Sequence, residues 1–334
     1  MEESQYVSII LGDKKINLGI EILRVILCFW VISFHYLDKQ NLNDFLFIII
    51  KKKVFHVPCF CFISFFFTHN IFNKKNINSF KKRIKRLLIP FIIWPLIIFI
   101  LHNIIYKNNR ISLIELKLQI ILGNQFMVHF WYYLSILIIT MLFFIICNFS
   151  NFLFIILLLS ILSYIIQYTE SDKFLYKYKN KAYSIEGTIR LIPIAGIGVI
   201  FASNYKIEIL KINRKKTLFL SFLFLYFLFK NNIFIELGGY NGIIHIFASL
   251  FLFIGFYLIP FEYLYINLKI LIKQISRFSN GIYCLHGHIF LFLKIKLNAR
   301  GNFKTILMVY LFGYFISFIG FKLFKKTNFK YLFI

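Results

Sequence analysis

The segment EILRVILCFWVISFHYL, residues 21–37, is apolar enough to cross a lipid bilayer, yet it contains Glu21, Arg24 and His35. In a helix, Arg24 and His35 are separated by about 16 Å along the axis and by about 20° of rotation, so their side chains share one face. Glu21 lies one turn before Arg24 on that face. Because charged residues within membrane spans usually face the bundle interior or a wet cavity, we predict a first transmembrane helix that lines a polar path.

A simpler interpretation of the same spacing assigns both side chains to the membrane surfaces. Arg24 would extend to the headgroups at one end of the helix, as long basic side chains near span ends commonly do. His35 would lie in the interface at the other end, beside Tyr36. The spacing alone does not separate these two interpretations.

The composition excludes an ordinary soluble protein. Of the 334 residues, 60% are hydrophobic and only 16% are charged, whereas soluble domains carry about a quarter charged residues. The formal net charge is +26, but the basic residues fall in short segments between apolar ones, where they indicate membrane topology and contact with anionic headgroups. We therefore expect membrane lipids, and no nucleic acid, as partners.

Ten apolar segments follow one another along the chain, most of them near the length that a helix needs to cross a bilayer. They are 16–37, 54–72, 87–105, 130–147, 151–169, 187–204, 217–231, 243–261, 278–296 and 305–322. These segments predict an all-α integral membrane protein, a bundle of about ten transmembrane helices. No repeat or separate soluble domain is visible, so residues 1–334 form one predicted domain.

The distribution of charge predicts the orientation. Residues 73–86 hold seven Lys and Arg, residues 206–216 hold five, and the tail after Phe321 holds four. The acidic loop residues fall mostly on the other side: Asp38, Asp44, Glu115, Glu170, Asp172, Glu186 and Glu236. Because cytoplasmic loops are the basic ones, both termini are predicted to be cytoplasmic. The first 17 residues are mostly polar, so the first span is expected to remain as an anchor.

Two further patterns concern local structure. The cysteines all fall in apolar segments without metal-ligand spacing, so we expect neither a disulfide framework nor a metal site. They are Cys28, Cys59, Cys61, Cys147 and Cys284. Arg190 with Pro193, Gly196 and Gly198 suggests a broken helix near the outer face that lines a cleft, or alternatively packing against small residues.

Several segments together resemble the membrane-bound acyltransferase 3 family, which transfers acyl groups to cell-surface glycans. Arg24 and His35, with ten residues between them in a first transmembrane helix, resemble the family's signature, and four more segments follow in the family's order. They are HVPCFCFISFF (56–66), FKKRIKRLLIPFIIW (80–94), VHFWYYLSIL (128–137) and SNGIYCLHGHIF (279–290). One departure is Phe65, where the family often has glycine after Ser64, a difference that bears on close helix packing there.

The resemblance implies roles for the polar residues at the start of the first and third helices. Arg24, Arg83 and Arg86 would bind the phosphates of acyl-CoA, because guanidinium groups offer forked donors to phosphate. Glu21 would balance Arg24. The alternative for Arg83 and Arg86 is ordinary positive charge on the inner side, which the neighbouring lysines also supply.

The resemblance also implies a catalytic residue. His35 would act as general base on the acceptor hydroxyl, or would accept the acyl group and relay it outward, and the sequence does not separate these routes. Supporting roles would fall to Ser64, Trp131, Tyr283 and His286.

The resulting functional hypothesis is a membrane O-acyltransferase, in the enzyme class that transfers groups other than amino-acyl groups. Acyl-CoA, expected to be acetyl-CoA, would be the co-substrate, with no permanently bound cofactor. The acceptor would be a hydroxyl of a cell-surface polysaccharide or lipid-linked glycan, and the protein would be multi-pass in the cytoplasmic membrane of a bacterial cell. The alternatives are a flippase for a lipid-linked sugar, although such proteins often show internal repeats, and a structural subunit, which would leave Arg24 unexplained.

Overall fold

A computed structural model describes residues 17–37, 56–105, 110–122, 130–169, 183–204, 214–230, 243–297 and 300–334. Within these ranges the protein is helical and contains no strand. The helices are α1 (Leu18–Tyr36), α2 (His56–Asn73), α3 (Ile77–Ile105), α4 (Leu113–Leu122), α5 (Trp131–Ile146), α6 (Phe152–Thr169), α7 (Tyr183–Asn204), α8 (Arg214–Lys230), α9 (Ile243–Leu258), α10 (Ile266–Arg277), α11 (Ser279–Leu297) and α12 (Phe303–Phe324). Short 3₁₀ helices occur at Phe261–Tyr263 and Asn328–Leu332.

Each of the ten apolar segments overlaps one of these helices, and the all-helical membrane class is confirmed. Within the described ranges, four helical segments are both long and apolar enough to cross a membrane: Leu18–Tyr36, Ile77–Ile104, Glu186–Ser203 and Phe303–Phe324. Shorter apolar helices cover Trp131–Ile146, Phe152–Ile166 and Ile246–Leu258. Ten crossings and cytoplasmic termini stay predictions.

The sequence misjudged the start of the third helix. The predicted span began at residue 87, but α3 begins at Ile77, so the basic residues before 87 form helical turns rather than a loop. These turns are rich in lysine and arginine, which carry high helix propensity, and their charge hides them from a hydropathy criterion. Two short helices, α4 and α10, were also missed because neither is long enough to cross a bilayer.

The prediction of a broken helix around Arg190 is wrong. Among the described residues α7 is one continuous helix with Pro193 inside it, and the side chain of Arg190 pairs with Glu186 one turn earlier. The glycines serve packing instead. A Cβ on Gly196 would lie 2.1 Å from Ser160 Oγ of α6, and one on Gly198 would lie 3.0 Å from the Phe62 carbonyl oxygen of α2. Small residues therefore bring α7 against its neighbours.

The contact of Gly198 with α2 also explains how α2 packs closely although Phe65 stands where the family often has glycine. Its side chain is fully buried, and the place where a glycine permits close approach of α2 and α7 is Gly198 on the opposite helix. The ring of Phe65 packs edge-on against Phe143 of α5. Close packing of α2 is thus retained by a different residue.

The helices enclose two apolar cores. One core joins α1, α2, α5, α6, α7 and α9 around Phe62, Phe143 and Phe253. The other joins α1, α3, α11, α12 and the C-terminal segment around Phe91 and Ile282. Both α1 and α5 contribute buried residues to the two cores.

One end of the bundle collects basic side chains, and we call it the basic end. The Asn17 side chain caps α1 by accepting from Ile20 N at 3.1 Å, and its Nδ2 donates to Tyr257 O at the end of α9 at 2.9 Å. Arg214, at the start of α8, donates to Leu258 O. α10 lies between the end of α9 and the start of α11 and packs on α1. The basic residues here include Lys81, Lys82, Lys85, Lys215, Lys216, Lys269, Lys273, Lys325 and Lys326.

Outside the bundle core, α4 begins with a capping box. Ser112 N donates to Glu115 Oε2 at 2.7 Å, and Glu115 N donates to Ser112 Oγ at 3.2 Å. The hydrogen bonds that Ser112 N and Ser112 Oγ donate to Glu115 Oε2 lower the pKa of Glu115. The predicted loop residues Asp38, Asp44, Glu170, Asp172 and Glu236 lie outside the described residues.

Candidate functional site

Arg24 joins α1 to the start of α11. Its NH1 donates to Glu21 Oε2 at 3.3 Å, and its NH2 donates to Ser279 Oγ at 3.2 Å. The Arg24 side chain keeps 29% of its surface exposed and that of Glu21 keeps 17%. The predicted Glu21–Arg24 pair is therefore confirmed, and the guanidinium retains accessible donors. Ser279 was recognised as the start of a helical segment but not as a partner of Arg24.

A second cation approaches Glu21 from α10. Lys273 interacts electrostatically with Glu21 and with Lys269. Partial burial lowers the pKa of Lys273, and the carboxylate of Glu21 opposes that shift. Glu21 is thus an anion between two cations, where it keeps Arg24 in place.

Arg83 is held inside the protein. It is buried, its Nε donates to Thr140 Oγ1 of α5 at 3.0 Å, and its NH2 donates to Ser64 Oγ of α2 at 3.0 Å. A weaker contact joins NH1 to Ser64 O at 3.5 Å, and the guanidinium lies 4.9 Å from the centroid of the Phe65 ring. Three helices are therefore joined through one guanidinium. Ser64 is the acceptor that orients it.

Arg86 has a different environment from Arg83, although the two are only three residues apart. Its side chain is exposed. It interacts electrostatically with Arg24 and with the phenols of Tyr133 and Tyr331, the latter on the C-terminal segment. Of the three arginines assigned to phosphate, Arg24 and Arg86 thus face a common space, while Arg83 is engaged by hydroxyl groups.

His35 lies at the far end of α1 from Arg24. Its side chain is exposed, and its ring centroid is 5.6 Å from that of His286 on α11 and 5.9 Å from that of Tyr36. Arg24 and His35 therefore both contact α11, which agrees with the prediction that they share a face. Tyr36 stacks on Phe290 with centroids 4.1 Å apart, and this stack fixes the end of α1 against α11.

His286 supports His35 from a fully buried position. Its Nδ1 contacts the backbone oxygen of Tyr283 one turn earlier. Because a carbonyl oxygen only accepts, Nδ1 carries the proton in this contact. The ring of Tyr283 also lies 5.6 Å from that of His286. Of the two supporting residues predicted on α11, His286 therefore lies beside His35 and Tyr283 lies beside His286.

A line of aromatic rings joins the two ends of the site. Tyr132 and Tyr133 on α5 have ring centroids 5.9 and 5.8 Å from that of Tyr283, which continues to His286 and His35. Tyr132 also interacts electrostatically with Arg24 and Arg83. The line thus runs from the arginines to the histidines.

Hydrogen bonds fix the phenol of Tyr133. Its hydroxyl donates to Asn280 Oδ1 at 2.7 Å, and Asn280 Nδ2 donates to Ile334 O at 3.1 Å. Tyr132, Tyr133 and Asn280 were not assigned roles from the sequence, although the paired tyrosines stand in the segment VHFWYYLSIL. Trp131, predicted as a supporting residue, instead fills the space beside Gly187, where a Cβ would lie 2.3 Å from its ring.

In the described part of the chain, no three His, Cys, Asp or Glu side chains form a group suited to a metal ion. His129, which the sequence placed at the outer end of the fourth span, lies outside the described residues.

Comparison with known protein families gives one match. The sequence model of the acyltransferase 3 family, described as an acyltransferase domain, matches residues 17–324. That range includes α1 to α12 and every residue assigned to the site. A search of curated proteins and a search of solved structures each find no match to the chain.

Proposed function

The chain belongs to the acyltransferase 3 family, and from this premise we propose that it is a membrane O-acyltransferase that uses acyl-CoA. The acyl group, in the simplest case acetyl, passes to a hydroxyl of a cell-surface polysaccharide or lipid-linked glycan. The observation that carries this proposal is the arrangement of Arg24 and His35 against one helix, α11, with the aromatic line between them. Family membership favours an acyltransferase over the flippase and structural-subunit alternatives.

The donor is expected to bind at the basic end. Acyl-CoA is made in the cytosol, and its phosphates need cationic groups that are not already satisfied. Arg24 keeps accessible donors and Arg86 is exposed beside it, so these two residues fit phosphate. We assign Arg83 a different role from the one inferred from sequence: it orients the N-terminal half of α3 so that Arg86 faces Arg24.

The aromatic line supplies a route for the acyl arm. The donor's phosphates and its thioester are separated by an extended, mostly uncharged chain, and Arg24 and His35 are separated by about 16 Å along α1. Tyr132, Tyr283 and His286 lie between these ends. Aromatic side chains with polar tips suit an arm that carries amide groups within an apolar sheath.

The transfer step requires a base at the thioester. The acceptor hydroxyl oxygen attacks the thioester carbonyl carbon, the C–S bond breaks, and the hydroxyl proton passes through the imidazole of His35 to the departing thiolate. In the relay route the imidazole itself attacks the thioester carbonyl carbon, the C–S bond breaks and the thiolate leaves with the imidazole N–H proton. The acceptor hydroxyl then attacks the acyl-imidazole, takes the acyl group and returns its proton to the imidazole. Exposure of His35 favours access of an acceptor to this end, and the buried His286 holds the neighbouring wall rigid.

Two measurements test the proposal. Purified protein should unfold at a higher temperature in the presence of acetyl-CoA, because a ligand that binds only the folded state stabilises it. Cells that produce the protein should carry more ester-linked acetyl on their surface glycans than cells that lack it, and His35→Ala should abolish the difference. His69→Ala is the matched control, since His69 lies on α2 and bonds to Phe66 O at 2.7 Å, away from the site. No stabilisation together with unchanged acetyl content would contradict the proposal.

A further inference from the structure

Helix α10 differs from the apolar helices around it. Its 12 residues, INLKILIKQISR, do not form a membrane span. On a helical wheel Leu268, Leu271 and Ile275 fall on one side, while Lys269, Lys273 and Arg277 form a row on the other. The helix contains no Asp or Glu.

The two leucines on the apolar side of α10 are left uncovered by the rest of the described structure, whereas Ile275 packs against a core of the bundle. Leu268 is 41% exposed and Leu271 is 45% exposed. Just before the helix, Tyr263 is 90% exposed and Tyr265 is 87% exposed. A helix with leucines on one side, a basic row on the other and tyrosines at its start has the composition of segments that lie in a membrane interface.

The position of α10 places it at the boundary of the membrane. It packs on the first turns of α1, with Lys273 near Glu21, and only Phe278 separates it from α11. Among the described residues, the charge of α1 that Lys273 approaches is Glu21, and on α12 Lys322 lies on the ring of Phe318 at 4.5 Å. Arg277 rests over the Phe321 ring at 4.2 Å and remains exposed.

We propose that α10 lies in the plane of the membrane surface and binds anionic phospholipid headgroups. Lys269 and Arg277 contact the headgroups, while Leu268 and Leu271 enter the upper acyl region beside them. Lys273 is directed to Glu21 instead, so two residues of the basic row contact lipid and the third contacts the protein. The surrounding basic end, where Lys325 and Lys326 are exposed, makes this face complementary to an anionic layer. That layer is lipid rather than an acidic soluble protein, because the exposed leucines require an apolar phase next to the charges.

The charge part of the proposal is tested by native mass spectrometry of the purified protein with phosphatidylglycerol and phosphatidylcholine. The double variant Lys269→Gln/Arg277→Gln should lose phosphatidylglycerol affinity by about five-fold for each charge removed. The matched control Lys325→Gln/Lys326→Gln removes the same charge from the same end and should change affinity much less. Equal losses in the two variants would mean that the lipid responds to overall charge only, and no loss in the α10 variant would overturn the proposal.

The position of the helix is tested separately, in a variant that keeps every charge. A spin label on Leu271→Cys, in discs that contain phosphatidylglycerol, should be accessible to oxygen and protected from a water-soluble nickel relaxant. A label at Asn78→Cys, an exposed and uncharged position at the start of α3, serves as the comparison and should show the reverse. Water exposure of both labels, or protection by an added soluble protein and not by lipid, would refute an interfacial α10. Neither measurement depends on acyl transfer, so the result stands apart from the proposed activity.

Discussion

Arg83→Lys and Arg86→Lys are expected to fail in different ways, although each keeps its charge. Arg83 donates through separate nitrogens to Ser64 on α2 and Thr140 on α5, each at 3.0 Å. Lysine carries its charge and its donor hydrogens on one nitrogen of a shorter side chain, so it cannot reproduce the forked donation of the guanidinium. Arg86 is exposed and joins no second helix by a hydrogen bond among the described residues. Arg83→Lys should therefore lower the free energy of unfolding, whereas Arg86→Lys should lower the affinity for acyl-CoA.

The size of the effect at Arg83 follows from those two hydrogen bonds. A hydrogen bond to a charged group contributes about 1.5–3 kcal/mol in soluble proteins, and interhelical hydrogen bonds in membranes average about 0.6 kcal/mol. Loss of one of the two should lower the free energy of unfolding by about 1 kcal/mol, or a few degrees in the unfolding temperature. At Arg86 the loss of bidentate phosphate binding should weaken acyl-CoA affinity by about ten-fold with little change in stability.

The five buried cysteines provide the assay for stability. All of them are free and buried in the folded protein, so a thiol-reactive dye reports unfolding as they become accessible. Donor affinity is measured in parallel by the shift of this transition with acetyl-CoA. If Arg83→Lys unfolds like the native protein while losing donor affinity as Arg86→Lys does, the separation of their roles is wrong.

Three other outcomes are expected. Cysteines introduced in 73–86 should resist an impermeant thiol reagent added outside cells while cysteines in 170–185 react, and the opposite pattern would reverse the predicted orientation. Gly198→Ala should lower the free energy of unfolding by about 1–3 kcal/mol, because the new Cβ would meet the backbone of α2 at 3.0 Å; Gly255→Ala, where the nearest atom is 3.7 Å away, should be neutral or slightly stabilising in the same unfolding assay. Ser279→Ala removes the hydroxyl that accepts a hydrogen bond from Arg24, so the KM for acyl-CoA should rise several-fold while kcat stays nearly unchanged. A fall in kcat without a change in KM would contradict a donor-side role of Ser279.

The sequence was sufficient to predict the membrane class and the order of the apolar helices. Long apolar segments can be assigned as helices from the sequence, because a segment in the hydrocarbon core must form its backbone hydrogen bonds within itself. The pairing of Glu21 with Arg24 and the shared face of Arg24 and His35 also followed from helical spacing. These features depend on local geometry within one helix.

The features that the sequence did not reveal depend on contacts between helices. Hydropathy does not detect α10, since its apolar and basic residues cancel in the average. The resemblance gave Arg83 and Arg86 the same role, but their environments differ because Ser64 and Thr140 approach only Arg83. The small residues of α7 suggested a break, whereas they fit the surfaces of α2 and α6. Tyr132 and Asn280 lacked any local signal of their roles.

The most direct test of the account compares donor affinity and transfer rate in purified His35→Ala. Because His35 lies about three helical turns from Arg24, the variant should bind acetyl-CoA almost as the native protein does. Transfer should fall by on the order of 10²–10⁴, the contribution of a positioned base, while His69→Ala retains native values for both. A His35→Ala protein that keeps most of its transfer activity would contradict the assignment of His35 as the catalytic residue.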